Sequence, residues 1–238
     1  MADQPAKPAA TPVSITDEHS VHVSGLMQAP SGGARACFVL AHGAGAGMKH
    51  PFMAAIADGL AARGIATLRY QFPYMERGAK RPDPPQLAQA TVRAAVAAAG
   101  RGWPNLPLIA GGKSFGGRMT SQAQAIMPLP GVRGLAFIGF PLHPAGKPSR
   151  ERADHLFAVH IPMLFLQGSR DQLAELELIE PLSRSLGERA TLQIFADADH
   201  SFHVPARSSR SDADVRNALL DALAAWIAVV ITVPLPAQ

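Results

Sequence analysis

The chain has 238 residues, a length that suits one domain, and 47% of them are hydrophobic and 17% charged. This composition provides for a large buried core and excludes a chain that is disordered throughout. The formal net charge is +4, with no long Lys/Arg run, so we expect no nucleic-acid partner, although an anionic substrate is compatible with it.

The predicted secondary structure alternates between apolar strands and segments of helical period. The predicted strands cover residues 35–41, 65–70, 106–110, 134–140, 161–167 and 191–196. Helices are expected from Pro51, after the Pro-rich loop 81–85, after residue 114, over 175–186, and from a cap at Ser211 or Asp212. This alternation predicts an α/β fold with a mostly parallel, doubly wound sheet flanked by helices.

The single cysteine and the two ends of the chain indicate the cellular compartment in which we expect the protein. Cys37 lies in an apolar run, which favours a small buried side chain and excludes an internal disulfide or a cysteine zinc site. No signal peptide is visible, and the apolar run 222–233 is too short to span a bilayer. We expect a cytoplasmic protein without a membrane partner. It should have a loose segment over 1–17, one domain over 18–232 and a tail over 233–238.

The stretch GGKSFGG, residues 111–117, has two competing interpretations. A phosphate-binding loop of the form G-x-x-x-x-G-K-[S/T] requires a glycine at position 107, where Pro107 stands before strand residues that cannot wrap a phosphate. A nucleophile elbow requires a serine between a strand and a helix, with small residues two positions before and after it. Gly112, Ser114 and Gly116 meet that requirement, so the sequence favours Ser114 as a nucleophile.

Partners for Ser114 follow two later predicted strands. Asp171 follows the strand that ends at residue 167, and His200 follows the strand that ends at residue 196. In a parallel sheet these positions meet at the carboxyl edge. The order serine, acid, histidine is that of an α/β-hydrolase triad, in which histidine takes the serine proton and the acid orients the histidine. Ser114, Asp171 and His200 are therefore the predicted catalytic residues.

An acyl-transfer site also needs N–H donors for the developing oxyanion. One predicted donor is the backbone N–H of Phe115, directly after the nucleophile. The other is expected from the glycine-rich loop after the first predicted strand, at Ala44 or Gly45.

Several residues near these positions allow other interpretations. His203 is a second candidate for the base, and Asp197 and Asp199 with the two histidines resemble a metal-binding set. Because the triad already accounts for His200, we predict no metal and no cofactor, and expect the two aspartates to cap the turn.

Substrate contacts are harder to predict from sequence. Tyr74, Met75 and His143 follow strand ends and are candidate pocket residues, and Lys113 and Arg118 beside the nucleophile are candidates to attract an acidic substrate or to be solvated. About twenty residues separate two strands at 140 and 161, too few for a large lid domain.

The motifs LAHGAGAGMKHPF, RYQFPYMERG, GGKSFGGRM, GFPLHPAGKP, LQGSRD and DADHSFHVP resemble those of predicted bacterial α/β-hydrolases akin to dienelactone hydrolase. Eukaryotic relatives of that family include a subunit of the non-specific-lethal chromatin complex and a testis-expressed protein. The resemblance covers about residues 20–230. It implies the α/β-hydrolase fold and the triad Ser114, Asp171 and His200, with serine where dienelactone hydrolases carry cysteine.

These observations predict a serine hydrolase that cleaves a small-molecule carboxylic ester or thioester through an acyl-enzyme on Ser114. The alternative is a binding or scaffold protein that keeps the fold without turnover. A nucleotide-binding protein, the third possibility, conflicts with Pro107.

Overall fold

The computed structural model describes residues 9–232, and within this range eight strands form one sheet. In chain order they are β1 (Thr11–Thr16), β2 (His22–Gln28), β3 (Ala36–Ala41), β4 (Ile65–Tyr70), β5 (Leu108–Lys113), β6 (Val132–Ile138), β7 (Met163–Gly168) and β8 (Ala190–Phe195). Across the sheet the order is β1-β2-β4-β3-β5-β6-β7-β8. The pairs β1–β2 and β2–β4 are antiparallel and all other pairs are parallel, which confirms the predicted mostly parallel sheet.

Helices cover both faces of this sheet. They are α1 (Pro51–Ala61), α2 (Pro73–Glu76), α3 (Pro85–Gly102), α4 (Phe115–Ile126), α5 (Leu176–Leu186) and α6 (Asp212–Val230). The first three begin with proline, whose missing N–H is not needed in the first turn. Of the two predicted caps, Ser211 and Asp212, it is Ser211 that caps α6, in a capping box with Asp214. Among the described residues, no helix combines the length and the apolar content that crossing a bilayer requires.

Alternate residues of β3 face two separate apolar clusters. Cys37, Val39 and Ala41 pack on the side of α3, α4 and α5, whereas Phe38 and its alternating neighbours pack on the side of α1 and α6. A strand covered on both faces must be apolar at every position, which explains the unbroken run in the sequence. Burial raises the pKa of the Cys37 thiol to about 12, so this side chain is an unreactive part of the core.

The N-terminal segment differs from the prediction of a loose stretch over residues 1–17. Thr11–Thr16 form the edge strand β1, which pairs with β2 along its whole length. Of β1, only Ile15 is fully buried, so the strand lacks the apolar run by which the inner strands are recognised. The predicted tail over 233–238 and the first eight residues lie outside the described residues.

The connection between β6 and β7 contains the 3₁₀ segment Glu151–Ala158, and a second 3₁₀ segment, Gly187–Arg189, follows α5. No lid domain is present in the described chain, as predicted. The carboxyl edge of the parallel strands therefore lies open to the loops that follow β3, β5, β7 and β8.

Candidate active site

Ser114 stands on a sharp turn between β5 and α4. Its backbone has φ of 49° and ψ of −115°, a conformation that residues other than glycine rarely adopt. The backbone on both sides of Ser114 lies too close to the end of β3 for any side chain to fit between them. A Cβ on Gly112 would lie 2.2 Å from the carbonyl oxygen of Ala41, and a Cβ on Gly116 would lie 2.5 Å from the carbonyl oxygen of His42. The two glycines thus let the turn approach β3 and hold the serine in its strained conformation.

Two hydrogen bonds join the three side chains predicted to act together. The Nε2 atom of His200 lies 2.8 Å from Ser114 Oγ, and its Nδ1 lies 2.7 Å from Asp171 Oδ2. An ionised carboxylate only accepts hydrogen bonds, which assigns the ring proton to Nδ1 and leaves Nε2 free to accept from the serine hydroxyl. The sequence-predicted residues thus come together in the order that a Ser-His-Asp triad requires.

The Asp171 side chain is fully buried, whereas the His200 side chain is 23% exposed. Besides His200, the carboxylate accepts hydrogen bonds from the side-chain amide of Gln167 and from the backbone N–H of Leu173. Gln167 also accepts a hydrogen bond from the backbone N–H of Phe140, so its amide is fixed at both ends. A buried carboxylate requires such donors, because the charge has no water around it.

The loop after β3 approaches Ser114 and is fixed by two buried side chains. His42 donates from Nδ1 to the carbonyl oxygen of Gly43 and accepts at Nε2 from the backbone N–H of Phe72. The Tyr74 hydroxyl donates to the carbonyl oxygen of Ala44 at 2.9 Å and also contacts that of Gly43 at 3.3 Å. Burial lowers the pKa of His42 to about 4 and raises that of Tyr74 to about 12, so both keep these hydrogen-bonding states near neutral pH.

Three backbone donors remain near the serine. The N–H of Phe115 is the first of α4 and therefore has no acceptor within the helix. Within the described chain, the N–H groups of Ala44 and Gly45 donate to no other backbone or side-chain group. These are the donors that the sequence predicts for an oxyanion.

A cavity of about 750 Å³ opens beside Ser114. The loop after β3 and the start of α1 form one wall, where Phe52, Met53 and Ala55 provide apolar surface. Arg216 of α6 also lines this cavity. A second cavity of about 520 Å³ lies across His200 and includes Arg170.

The chain matches the family model described as the alpha/beta hydrolase domain over residues 34–228. The chain belongs to the α/β hydrolase family. This result confirms the family that the sequence motifs resemble.

Solved structures of similar fold agree with this assignment. A dienelactone hydrolase from Anabaena variabilis has 21% sequence identity and a TM-score of 0.74, over 94% of this chain and 99% of that one. An α/β serine hydrolase without a lid from Xanthomonas campestris has 22% identity and a TM-score of 0.70, over 99% and 98%. An esterase domain from Rhodothermus marinus has 18% identity and a TM-score of 0.68, over 92% and 97%. At these identities the likeness shows the shared fold.

Three residues that the sequence predicts as substrate contacts of this α/β hydrolase do not line the cavity beside Ser114. Tyr74 is fully buried beneath the loop after β3, and Met75 packs against the core. His143 is fully buried as well, with its Nε2 atom 2.6 Å from a carboxylate oxygen of Glu175. None of the three is among the residues that line the described cavity. Tyr74 instead contacts the backbone of the loop that supplies the predicted donors.

The alternative base His203 points to a different partner. Its Nδ1 lies 2.7 Å from Asp212, and its side chain is 68% exposed. The hydrogen bond that its ring donates to the Asp212 carboxylate raises the pKa of His203. Asp199 accepts from the backbone N–H groups of Ser201 and His203, so it caps the turn as predicted.

No metal-binding group of three or more His, Cys, Asp or Glu side chains occurs in the part of the chain that the structure describes.

Gln167 is a residue of the site that the sequence did not point to. It supports Asp171, and the available signal was a polar residue at the end of the apolar strand β7. Lys113, expected to be solvated or to attract substrate, instead donates to the backbone carbonyl oxygen of His200.

Proposed function

We propose that this α/β hydrolase is a serine hydrolase that cleaves carboxylic esters or thioesters through an acyl-enzyme on Ser114. The observation that carries the proposal is the unbroken series of hydrogen bonds from Asp171 through His200 to a serine in a strained elbow. Serine is a weak nucleophile without a base, and here a base lies within 2.8 Å of its hydroxyl.

In the acylation step, Ser114 Oγ attacks the carbonyl carbon of the substrate while His200 Nε2 takes the serine proton. Asp171 stabilises the imidazolium that forms. The carbonyl oxygen becomes an oxyanion, which accepts hydrogen bonds from the N–H of Phe115 and from that of Ala44 or Gly45. When the carbonyl re-forms, the C–O or C–S bond breaks, and the alcohol or thiol leaves with the proton from His200.

In the deacylation step, a water molecule takes the place of the leaving group. His200 removes a proton from the water as it attacks the acyl carbon, and the second tetrahedral intermediate uses the same donors. Its collapse returns the proton to Ser114 Oγ and releases the carboxylic acid.

The cavity supports a small-molecule substrate with an apolar portion. Phe52, Met53 and Ala55 provide apolar surface close to Ser114, and the absence of a lid domain from the described chain leaves the site accessible. The similar solved structures described as an esterase domain and a dienelactone hydrolase make ester bonds the first chemistry to test.

The proposal is tested with a panel of p-nitrophenyl esters of increasing chain length, acyl thioesters and a dienelactone, with wild type and Ser114→Ala side by side. We expect turnover of at least one ester or thioester, and a loss of about 10³-fold or more in kcat for Ser114→Ala. Equal rates for the two proteins would contradict a serine mechanism. A wild type that turns over no member of the panel would favour the non-catalytic alternative.

A further inference from the structure

Lys113 immediately precedes the nucleophile and reaches the loop that carries the base. Its Nζ atom donates a hydrogen bond of 2.6 Å to the backbone carbonyl oxygen of His200, 87 positions further along the chain. The residue is the last of β5, so its backbone is fixed by the sheet. One side chain therefore connects the strand that positions Ser114 with the loop that positions His200.

The ammonium group of Lys113 and the imidazole of His200 face the same point of the backbone. A Cβ placed on Gly139 would lie 3.0 Å from Lys113 Nζ and 3.4 Å from His200 Nδ1. The two nitrogens are therefore at most about 6.4 Å apart, the sum of those two distances. The Nζ atom also lies 5.6 Å from the centroid of the Phe202 ring, which covers it on another side.

The charged groups around this ammonium come from two loops. Asp171 follows β7 and Asp199 follows β8, and both favour the protonated lysine. The loops after β3 and β6 present the uncharged glycines Gly43 and Gly139 to the Lys113 side chain. On the cavity side, His203 and Arg216 line the same space as Lys113.

Burial nevertheless outweighs the two aspartates and lowers the pKa of Lys113 to about 8. Below that pH the amino group is mostly protonated. A positive charge thus lies near the triad over the range in which a histidine base works.

We propose that Lys113 is a positioning residue for the general base, which holds the His200 loop against the elbow and places a positive charge beside the imidazole. This inference rests on the proposed serine hydrolase activity. A cation near an imidazole disfavours its protonated form.

Three substitutions separate the hydrogen bond from the charge. Lys113→Met removes both, Lys113→Gln keeps a hydrogen-bond donor without the charge, and Lys113→Arg keeps both. Lys80→Met, at an exposed lysine outside the two cavities, is the matched control. Circular dichroism and thermal unfolding establish that each variant is folded.

The readout is kcat/KM against pH for the best ester of the panel. We expect Lys113→Met to lower kcat by about 10-fold or more and to move the acid limb of the profile to higher pH. Lys113→Gln should move the acid limb equally with a smaller loss of kcat, and Lys113→Arg should restore the wild-type acid limb. Folded Met and Gln variants with the wild-type acid limb would overturn the role of the charge, and an unchanged kcat in Lys113→Met would overturn the positioning role.

A second readout does not depend on turnover. The rate at which a fluorophosphonate labels Ser114 is measured against pH for the same four variants and wild type. If no ester is hydrolysed but Ser114 is labelled, the proposed function fails while the inference about Lys113 is still decided by the position of the acid limb.

Discussion

Acidification should destabilise this protein through His42, the buried histidine next to the loop after β3. Its side chain is fully buried, and burial lowers its pKa from the ordinary 6.5 to about 4, opposed weakly by the hydrogen bond to Gly43. A second proton on Nε2 would face the backbone N–H of Phe72, which is itself a donor. The folded protein therefore resists protonation of this ring.

The sign and the size of the effect follow from proton linkage. Below pH 6.5 the unfolded chain binds a proton at His42 that the folded chain does not bind, so stability falls as the pH falls, down to about pH 4. A difference of about 2.5 pKa units corresponds to a loss of about 3 kcal/mol over this range.

The assay is urea unfolding of wild type and His42→Gln at several pH values from 7 to 4. Glutamine does not titrate, and its amide oxygen can accept from Phe72. We expect the variant to be less stable at pH 7 but to lose about 3 kcal/mol less than wild type on acidification. His155, whose pKa burial also lowers to about 4, is present in both proteins and cancels in the comparison. Parallel losses of stability in the two proteins would refute the reasoning.

Three further substitutions test the geometry around Ser114. Gly116→Ala would place a Cβ 2.6 Å from that of Ala41, so we expect a loss of about 3 kcal/mol or more in urea unfolding. Gly45→Ala is its control, because a Cβ there meets no atom within 4 Å; equal stability of the two variants would contradict the close approach. Tyr74→Phe removes the hydroxyl that contacts Ala44 and Gly43, and we expect about 1–3 kcal/mol lower stability and a kcat reduced about 10-fold at unchanged KM. A normal kcat would show that the loop holds its position without Tyr74. Asp171→Asn should lower kcat at neutral pH by about 10⁴-fold without unfolding the protein, measured by steady-state kinetics and circular dichroism, and a modest loss would argue against an ionised orienting residue.

The sequence predicts the elbow and its partners well because their positions follow from the fold. A parallel sheet brings all its carboxyl ends to one edge, so Ser114, Asp171 and His200 had to meet there once their strands were recognised. The small residues Gly112 and Gly116 are visible in the sequence as a requirement of the same turn.

The edge strand β1 and its neighbour β2 could not be recognised in the same way. These two strands lie together at one end of the sheet, where only some residues of each strand are buried. Neither strand therefore has the unbroken apolar run of β3. Their pairing depends on contact with each other and with β4, which local sequence does not encode.

Side-chain direction accounts for the remaining differences. Tyr74 and His143 follow strand ends, but the sequence does not show that one points beneath a loop and the other into the interior beside Glu175. Lys113 looked like a surface residue of a G-K-S motif. It reaches His200 only because the loop after β8 folds back over the end of β5.

The central claim is that Ser114 is a nucleophile activated by His200. The most direct measurement is reaction of the folded protein with a fluorophosphonate, followed by peptide mapping by mass spectrometry. We expect one adduct on Ser114, none in Ser114→Ala, and much slower labelling in His200→Ala. A folded wild type that stays unlabelled, or that carries the adduct on another residue, would contradict it.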